Sequence, residues 1–142
     1  MVDIERASAA RRRLREVAAK HGTLLESLVA ERGPLLRGTF QFRRTRCGKE
    51  GCKCAQGELH TAAALVVSEG GERRTIYLRT TERPEAQRRA ERYRRFRKTR
   101  SELKRMDAQI AQALDELLAA LIEPPVSERD DEKRRGDHRK QR

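Results

Sequence analysis

The sequence predicts an α+β protein with an N-terminal helix, a small three-stranded antiparallel sheet carrying a Cys/His loop, and a long C-terminal helix. Three observations predict this fold. Apolar residues recur at helical steps in the first 30 residues, the central segment alternates around a Gly-Gly turn, and residues 85–122 contain neither Gly nor Pro. Because the chain has 142 residues, of which 39% are charged and 36% hydrophobic, we expect one small domain and exclude a large α/β enzyme.

The first helix is predicted from Ile4 to Ala30, where charged residues separate the apolar ones. His21 and Gly22 interrupt this pattern, and an interior Gly costs about 1 kcal/mol relative to Ala. We therefore expect a kink at Gly22. Gly33 and Pro34 predict that the helix has ended.

Three short segments then have the composition of strands. Thr39 to Arg43 alternates polar and aromatic residues, Ala62 to Val67 is apolar, and Arg74 to Arg79 alternates again. Glu69-Gly70-Gly71-Glu72 predicts a tight hairpin turn between the second and third strands.

The last helix is predicted to extend to Ile122, over roughly 57 Å at 1.5 Å per residue. Thr80 and Thr81 are candidate N-caps, and Pro84 suits the first turn. Apolar residues recur every seven positions in two registers, and the repeat favours a coiled coil only in the C-terminal half. These residues are Phe96, Leu103, Ile110 and Leu117 in one register, and Tyr93, Leu114 and Leu121 in the other. Two interpretations stay open, packing on the first helix of the same chain and pairing with another copy.

The chain is predicted to comprise three segments: an N-terminal helix over 1–35, a domain over 36–122 and a disordered charged tail over 123–142. No apolar run approaches the roughly 20 residues of a membrane span. The N-terminus opens with acidic residues rather than a basic region and an apolar core. We therefore expect a cytoplasmic protein without a signal peptide, and association with the nucleoid is compatible with its charge.

All three cysteines fall within eight residues, and a histidine follows, in the spacing C-x4-C-x-C-x5-H formed by Cys47, Cys52, Cys54 and His60. An odd number of cysteines without a secretory signal favours metal or thiol chemistry over a disulfide framework. Zinc is the leading metal because Cys3His is a standard structural ligand set. The fourth ligand stays open between His60, His21 and a residue of a second chain. A glycine-rich turn without metal is the main alternative, followed by redox or iron–sulfur chemistry.

The formal charge of +12 is concentrated, since Arg83 to Arg105 holds 11 basic and three acidic residues. A basic helix of this kind predicts contacts with nucleic-acid phosphates that do not depend on base sequence. The candidate contact residues are Arg88, Arg89, Arg92, Arg95, Arg100 and Lys104. The alternative is a helix that is merely well solvated.

The segment Arg46 to Ala55, followed by Gly57, His60, a hairpin and the run Tyr93 to Phe96, resembles a widespread family of small bacterial and archaeal proteins of unknown function. The family pattern is CGKPxCxCA, then HGPYYYLS, then a helix with a YRRF-like signature, and the likeness covers residues 36–121. Members are often encoded near transposases, which implies a link to mobile elements. Glu50 stands here in place of the pattern's Pro, and Thr61 to Leu65 replaces its aromatic run.

These observations predict an accessory protein that binds nucleic acid through its basic helix. The alternative is an assembly module in which residues 103–121 pair with another copy or with a transposase or recombinase partner. We do not expect an enzyme, because no catalytic triad, phosphate-binding glycine loop or carboxylate pair can be identified.

Overall fold

A computed structural model describes residues 1–123 of the chain and confirms the predicted α+β class. The elements in chain order are α1 (Ile4–Val29), β1 (Thr39–Thr45), a 3-10 helix (Lys53–Gln56), β2 (His60–Glu69), β3 (Glu72–Leu78) and α2 (Arg83–Leu121). Apart from Glu123, the predicted disordered tail lies outside the described residues. Within the described part of the chain, no helix combines the length and apolarity that a membrane crossing requires.

The chain divides into two compact units. One comprises Met1–Thr23 together with the chain from Lys104 onward, and the other is Leu24–Leu103. Each long helix contributes residues to both units, so the units do not follow chain order. The division into segments 1–35 and 36–122 stays a prediction.

In the first unit, α1 and α2 run antiparallel and are joined by polar contacts at three levels. The Asp3 N–H donates to the Ala120 carbonyl at 2.9 Å, Arg13 pairs with Glu116 at 2.6 Å, and His21 bonds Asp107 at 2.8 Å. Small buried residues allow close helix approach, and they are Ala7, Ala10, Ala113 and Ala120. The face of α2 that carries Ala113 and Ala120 therefore packs within the chain, whereas Leu114 and Leu121 of the apolar stripe stay exposed.

Gly22 does not interrupt the first helix, because α1 is continuous from Ile4 to Val29. The Asp3 side chain starts it by accepting a hydrogen bond from the Arg6 N–H at 3.0 Å. A single interior Gly costs only about 1 kcal/mol.

The second unit contains the sheet, whose strand order is β1-β2-β3 with both pairs antiparallel. Gly70 and Gly71 have φ angles of 58° and 81°, which confirms the predicted tight turn between β2 and β3. One sheet face packs against α2 in a small core. Its members are Leu65, Val67 and Ala90, with Leu36, Phe40 and Leu78 at the edge.

The segment between α1 and β1 is fixed to α2 by main-chain and side-chain contacts. The Leu36 N–H donates to the Arg89 carbonyl at 3.1 Å. The Arg92 guanidinium donates to the Pro34 carbonyl at 2.9 Å and lies 3.4 Å from the Glu31 carboxylate. It also occupies the space that a side chain at Gly33 would need. A side chain at position 33 would therefore displace the Arg92 guanidinium from these contacts.

The start of α2 differs from the expected threonine cap. Glu82 precedes the helix, and its carbonyl accepts the bond from the Ala86 N–H at 3.0 Å. Its carboxylate accepts a bond from the Arg79 N–H at 2.9 Å. The predicted caps at Thr80 and Thr81 are therefore wrong. Glu82 is the residue directly before the helix, and Thr81 and Thr80 lie one and two residues before Glu82.

Candidate metal centre and basic helix surface

The Cys/His loop connects two strands that are paired at its base. Thr45, the last residue of β1, is paired with His60, the first residue of β2. Cys47 follows β1 by two residues, Cys52 precedes the 3-10 helix, and Cys54 lies within that helix. Strand pairing therefore brings the first and last residues of the motif together, and the 3-10 helix folds the other two between them.

The four side chains form one cluster. Their ligand atoms, three Sγ atoms and one imidazole nitrogen, all lie within 4.8 Å of one another. Cys47 Sγ is 3.4 Å from Cys54 Sγ, and Cys52 Sγ is 3.2 Å from His60 Nε2. Ligands about 2.3 Å from a tetrahedral zinc lie roughly 3.8 Å apart. The spacing and the donor set both fit a metal ion, which supports the predicted ligand group.

Two glycines give the loop the curvature it needs. Gly48 and Gly51 have φ angles of 73° and 75°, in the left-handed region that residues with a Cβ rarely adopt. The loop turns after Cys47 and again before Cys52. The Cys47 N–H donates to Cys54 Sγ at 3.4 Å, so the backbone also supports the cluster.

The cluster perturbs the acidity of its thiols. The pKa of Cys54 is lowered to about 6, chiefly by the backbone hydrogen bond from Cys47. A backbone hydrogen bond at Cys54 acts to lower the pKa of Cys52, but hydrogen bonds to the two neighbouring thiols, burial and the charge of Cys47 outweigh it, so that pKa is raised. The cluster therefore favours the state with one ionised thiol over states with several ionised thiols. A divalent cation would reverse this preference by compensating the added negative charge.

The structure separates the two histidines that were candidate fourth ligands. His60 belongs to the cluster. His21 lies in the first unit, where Nε2 bonds the Asp107 carboxylate. Cys54 is buried while Cys47 and His60 are exposed, so the cluster is open to solvent on one side.

The six basic residues predicted to contact nucleic acid have different environments. Arg88 and Arg89 both pair with Glu85, each at 2.6 Å, and these bonds lower the pKa of Glu85. Arg92 is only 24% exposed in its side chain and is engaged with Glu31 and Pro34. The remaining three are exposed, and Lys104 belongs to the other unit. These three are Arg95, Arg100 and Lys104.

A denser group of exposed cations lies just after Arg92. Residues 94–100 contain five basic side chains and no acid, and all five are exposed. Among the described residues, none of the five forms an ion pair, while Arg97 lies over the Tyr93 ring at 5.8 Å. We call this group the basic segment, and its members are Arg94, Arg95, Arg97, Lys98 and Arg100. Helical spacing from Arg88 missed Arg94, Arg97 and Lys98, although the absence of acids between Glu91 and Glu102 indicated them.

The fold and the cluster define a small α+β protein with a Cys3His candidate metal site at one end of a three-stranded sheet. A family model described as a domain of unknown function, DUF6788, matches residues 7–88, which is more than half of the chain. The chain belongs to this family, as the sequence motifs led us to expect. The matched region contains the whole Cys/His cluster and all three strands, but it ends before the run Tyr93 to Phe96. No curated protein and no solved structure matches the chain.

Proposed function

We propose that this protein binds the phosphate backbone of nucleic acid through the basic segment, without a catalytic role, and that a zinc ion in the Cys/His cluster stabilises the fold that carries it. The observation that supports binding is the concentration in residues 94–100 of exposed cations that form no ion pair with a described residue. Isolated surface cations are ordinary, but five within seven residues on one rigid helix produce a strong local positive potential.

The basic segment is well placed for this role because other arginines hold the helix to the fold. Two arginines fix α2 to the segment before β1: Arg92 does so through its side chain, and Arg89 does so through its main-chain carbonyl. Ala90 packs α2 against the sheet. The basic side chains thus project from a helix whose position in the second unit is fixed, which lowers the entropic cost of binding.

Binding is tested by removing three members of the basic segment together, in the variant Arg94→Ala, Arg95→Ala and Lys98→Ala. We expect the salt dependence of binding to a duplex probe, measured by fluorescence anisotropy, to fall by about 2 to 3 in its logarithmic slope, since each lost phosphate contact lowers it by about 0.9. The matched control is Arg11→Ala, Arg12→Ala and Arg15→Ala, which removes three exposed cations of α1. Equal loss in both variants would show that total charge alone is responsible, and unchanged binding in the first would refute the proposal.

Zinc is the proposed metal because three thiolates and one imidazole suit its preference for soft sulfur and nitrogen ligands in tetrahedral geometry. The core of the second unit is small, so a metal would contribute substantially to its stability. Native mass spectrometry should find one zinc ion in freshly purified protein. It should find none in the variant Cys52→Ser, whereas Thr61→Ser, a neighbouring change outside the cluster, should retain the metal. A protein purified without metal and unable to take up zinc would contradict the assignment.

Assembly is a second candidate function, favoured by an apolar stripe on α2 of the first unit. Leu114, Leu118 and Leu121 follow helical spacing and are all exposed, Leu118 to 61%. We propose this stripe as a contact for a second copy or for a recombinase-like partner. Light scattering should show a concentration-dependent increase in mass that Leu114→Gln with Leu118→Gln abolishes. A 16.4 kDa monomer at high concentration would exclude self-association.

A further inference from the structure

An aromatic side chain is exposed on β1, near the end of the strand that leads into the Cys/His loop. Phe40 and Phe42 lie on the same face of β1 because side chains alternate along a strand. Phe40 packs against the core, whereas Phe42 is 60% exposed. One exposed aromatic residue is not unusual by itself. The inference rests on the packing that orients the Phe42 ring and on the basic residues that follow it.

The Phe42 ring is held in a defined orientation. Its centroid lies 5.2 Å from that of Phe40, and the two rings meet at 88°. This edge-to-face contact is one of the favoured aromatic geometries. Because Phe40 is itself anchored in the core, Phe42 is a preformed apolar platform rather than a freely rotating side chain.

Basic residues follow this platform along the chain. Arg44 lies two residues further along the same strand face, and Arg46 follows the end of β1. Lys49 and Lys53 belong to the Cys/His loop, in which the acids are Glu50 and Glu58. All four basic side chains are exposed, and none forms an ion pair with a described residue. The exposed Phe42 ring and these four basic residues make up a candidate surface of the second unit, and Arg44 shares the strand face of the ring.

We propose that this surface binds single-stranded nucleic acid, with an unstacked base on Phe42 and neighbouring phosphates on Arg44, Arg46, Lys49 and Lys53. An aromatic platform among cations is the arrangement that binds single strands with little sequence preference, because every base has a π-face. A duplex keeps its bases stacked and offers none to Phe42. The inference rests on the proposed nucleic-acid function and adds a preference for unpaired strands to it.

The test compares Phe42→Leu with Tyr77→Leu in zinc-loaded protein. Tyr77 is a matched control because it is 57% exposed and lies on the opposite face of the sheet, where it pairs with Ala64. The probes are oligothymidine and oligouridine of about 20 nucleotides and a duplex of equal length. We expect Phe42→Leu to weaken binding of both single strands roughly tenfold or more while duplex affinity changes less than twofold. Tyr77→Leu should leave all three affinities unchanged, and Phe42→Trp should retain single-strand binding.

Each outcome decides between the two proposals. If Phe42→Leu and Tyr77→Leu bind single strands equally well, the Phe42 inference is overturned, and the basic segment is judged separately by the duplex experiment. If wild-type protein binds neither kind of probe, both proposals fail. Weaker binding of only one single strand by Phe42→Leu would still support the inference and would identify DNA or RNA as the ligand. The melting temperature of each variant, compared with that of wild type, separates lost binding from lost folding.

Discussion

Arg92 was predicted to contact nucleic acid, and its environment indicates a structural role that can be measured. Its side chain donates to the Pro34 carbonyl at 2.9 Å and lies 3.4 Å from Glu31. A hydrogen bond from a charged donor contributes about 1.5–3 kcal/mol. A partly exposed ion pair adds about 0.2–1 kcal/mol. We therefore expect Arg92→Ala to lower the free energy of unfolding by about 2–4 kcal/mol.

The assay is urea unfolding followed by circular dichroism. With a urea dependence of about 2 kcal/mol per molar, the midpoint should fall by about 1 M or more. Arg95→Ala is the control, because Arg95 lies one turn further along α2 and is exposed without an ion pair to a described residue, so its midpoint should change little. Arg92→Lys should give an intermediate value, since a lysine keeps the charge but lacks the planar guanidinium.

The binding assay gives the complementary measurement. Because Arg92 is engaged with Glu31 and Pro34, Arg92→Ala should leave the salt slope of duplex binding unchanged, whereas Arg95→Ala should lower it by about 0.9. The reasoning would be refuted by the reverse pattern, in which Arg92→Ala unfolds at the wild-type urea concentration and loses one phosphate contact.

Three further predictions concern a glycine pair, the metal and one carboxylate. Gly22→Ala should raise the unfolding free energy by about 1 kcal/mol, because nothing lies within 4 Å of the added Cβ. Gly33→Ala should lower it by about 1–3 kcal/mol, because Arg92 occupies the space that the new Cβ needs. Similar urea midpoints for the two variants would contradict both expectations. Chelation should lower the melting temperature of wild-type protein but not that of Cys52→Ser. Zinc affinity should decrease as the pH falls, because the ligands must be deprotonated to bind the metal. A chelator effect of equal size in both proteins would argue against a metal at the cluster. The pKa of Glu85 is lowered in the folded state from 4.5, mainly by Arg89 and then by Arg88, so its contribution is present above pH 4.5 and is lost as the pH falls through the folded value. The melting temperatures of wild type and Glu85→Gln should therefore differ at neutral pH and converge in acid, and a constant difference would exclude this linkage.

Local sequence signals were sufficient for most of the fold. The Gly70-Gly71 turn, the uninterrupted run after Pro84 and the helical spacing of α1 each reflect a strong local preference, and all three elements formed. Strand ends were less predictable. β2 begins at His60, two residues before the predicted start, because pairing with Thr45 extends it. Pairing between distant segments leaves little trace in either segment alone.

The candidate site also has features that local sequence predicts and features that depend on contacts between distant segments. The four candidate metal ligands were predictable because their chemistry is encoded in residue type and short spacing. The choice of His60 over His21 depended on strand pairing, and the engagement of Arg92 depended on Glu31, a residue 61 positions earlier. Helical spacing can indicate which arginines share a face. It cannot indicate which of them another part of the chain will engage.

The pairing of Thr45 with His60 has a consequence for the register of the sheet. A slip of β2 by one residue would move Leu65 and Val67 to the opposite face, and it would also shift His60 away from Cys52. The hairpin glycines define one end of β2, and the Cys/His cluster defines the other. Metal occupancy would thus report correct strand alignment, so that a chain folded out of register would be recognised by its failure to retain the ion.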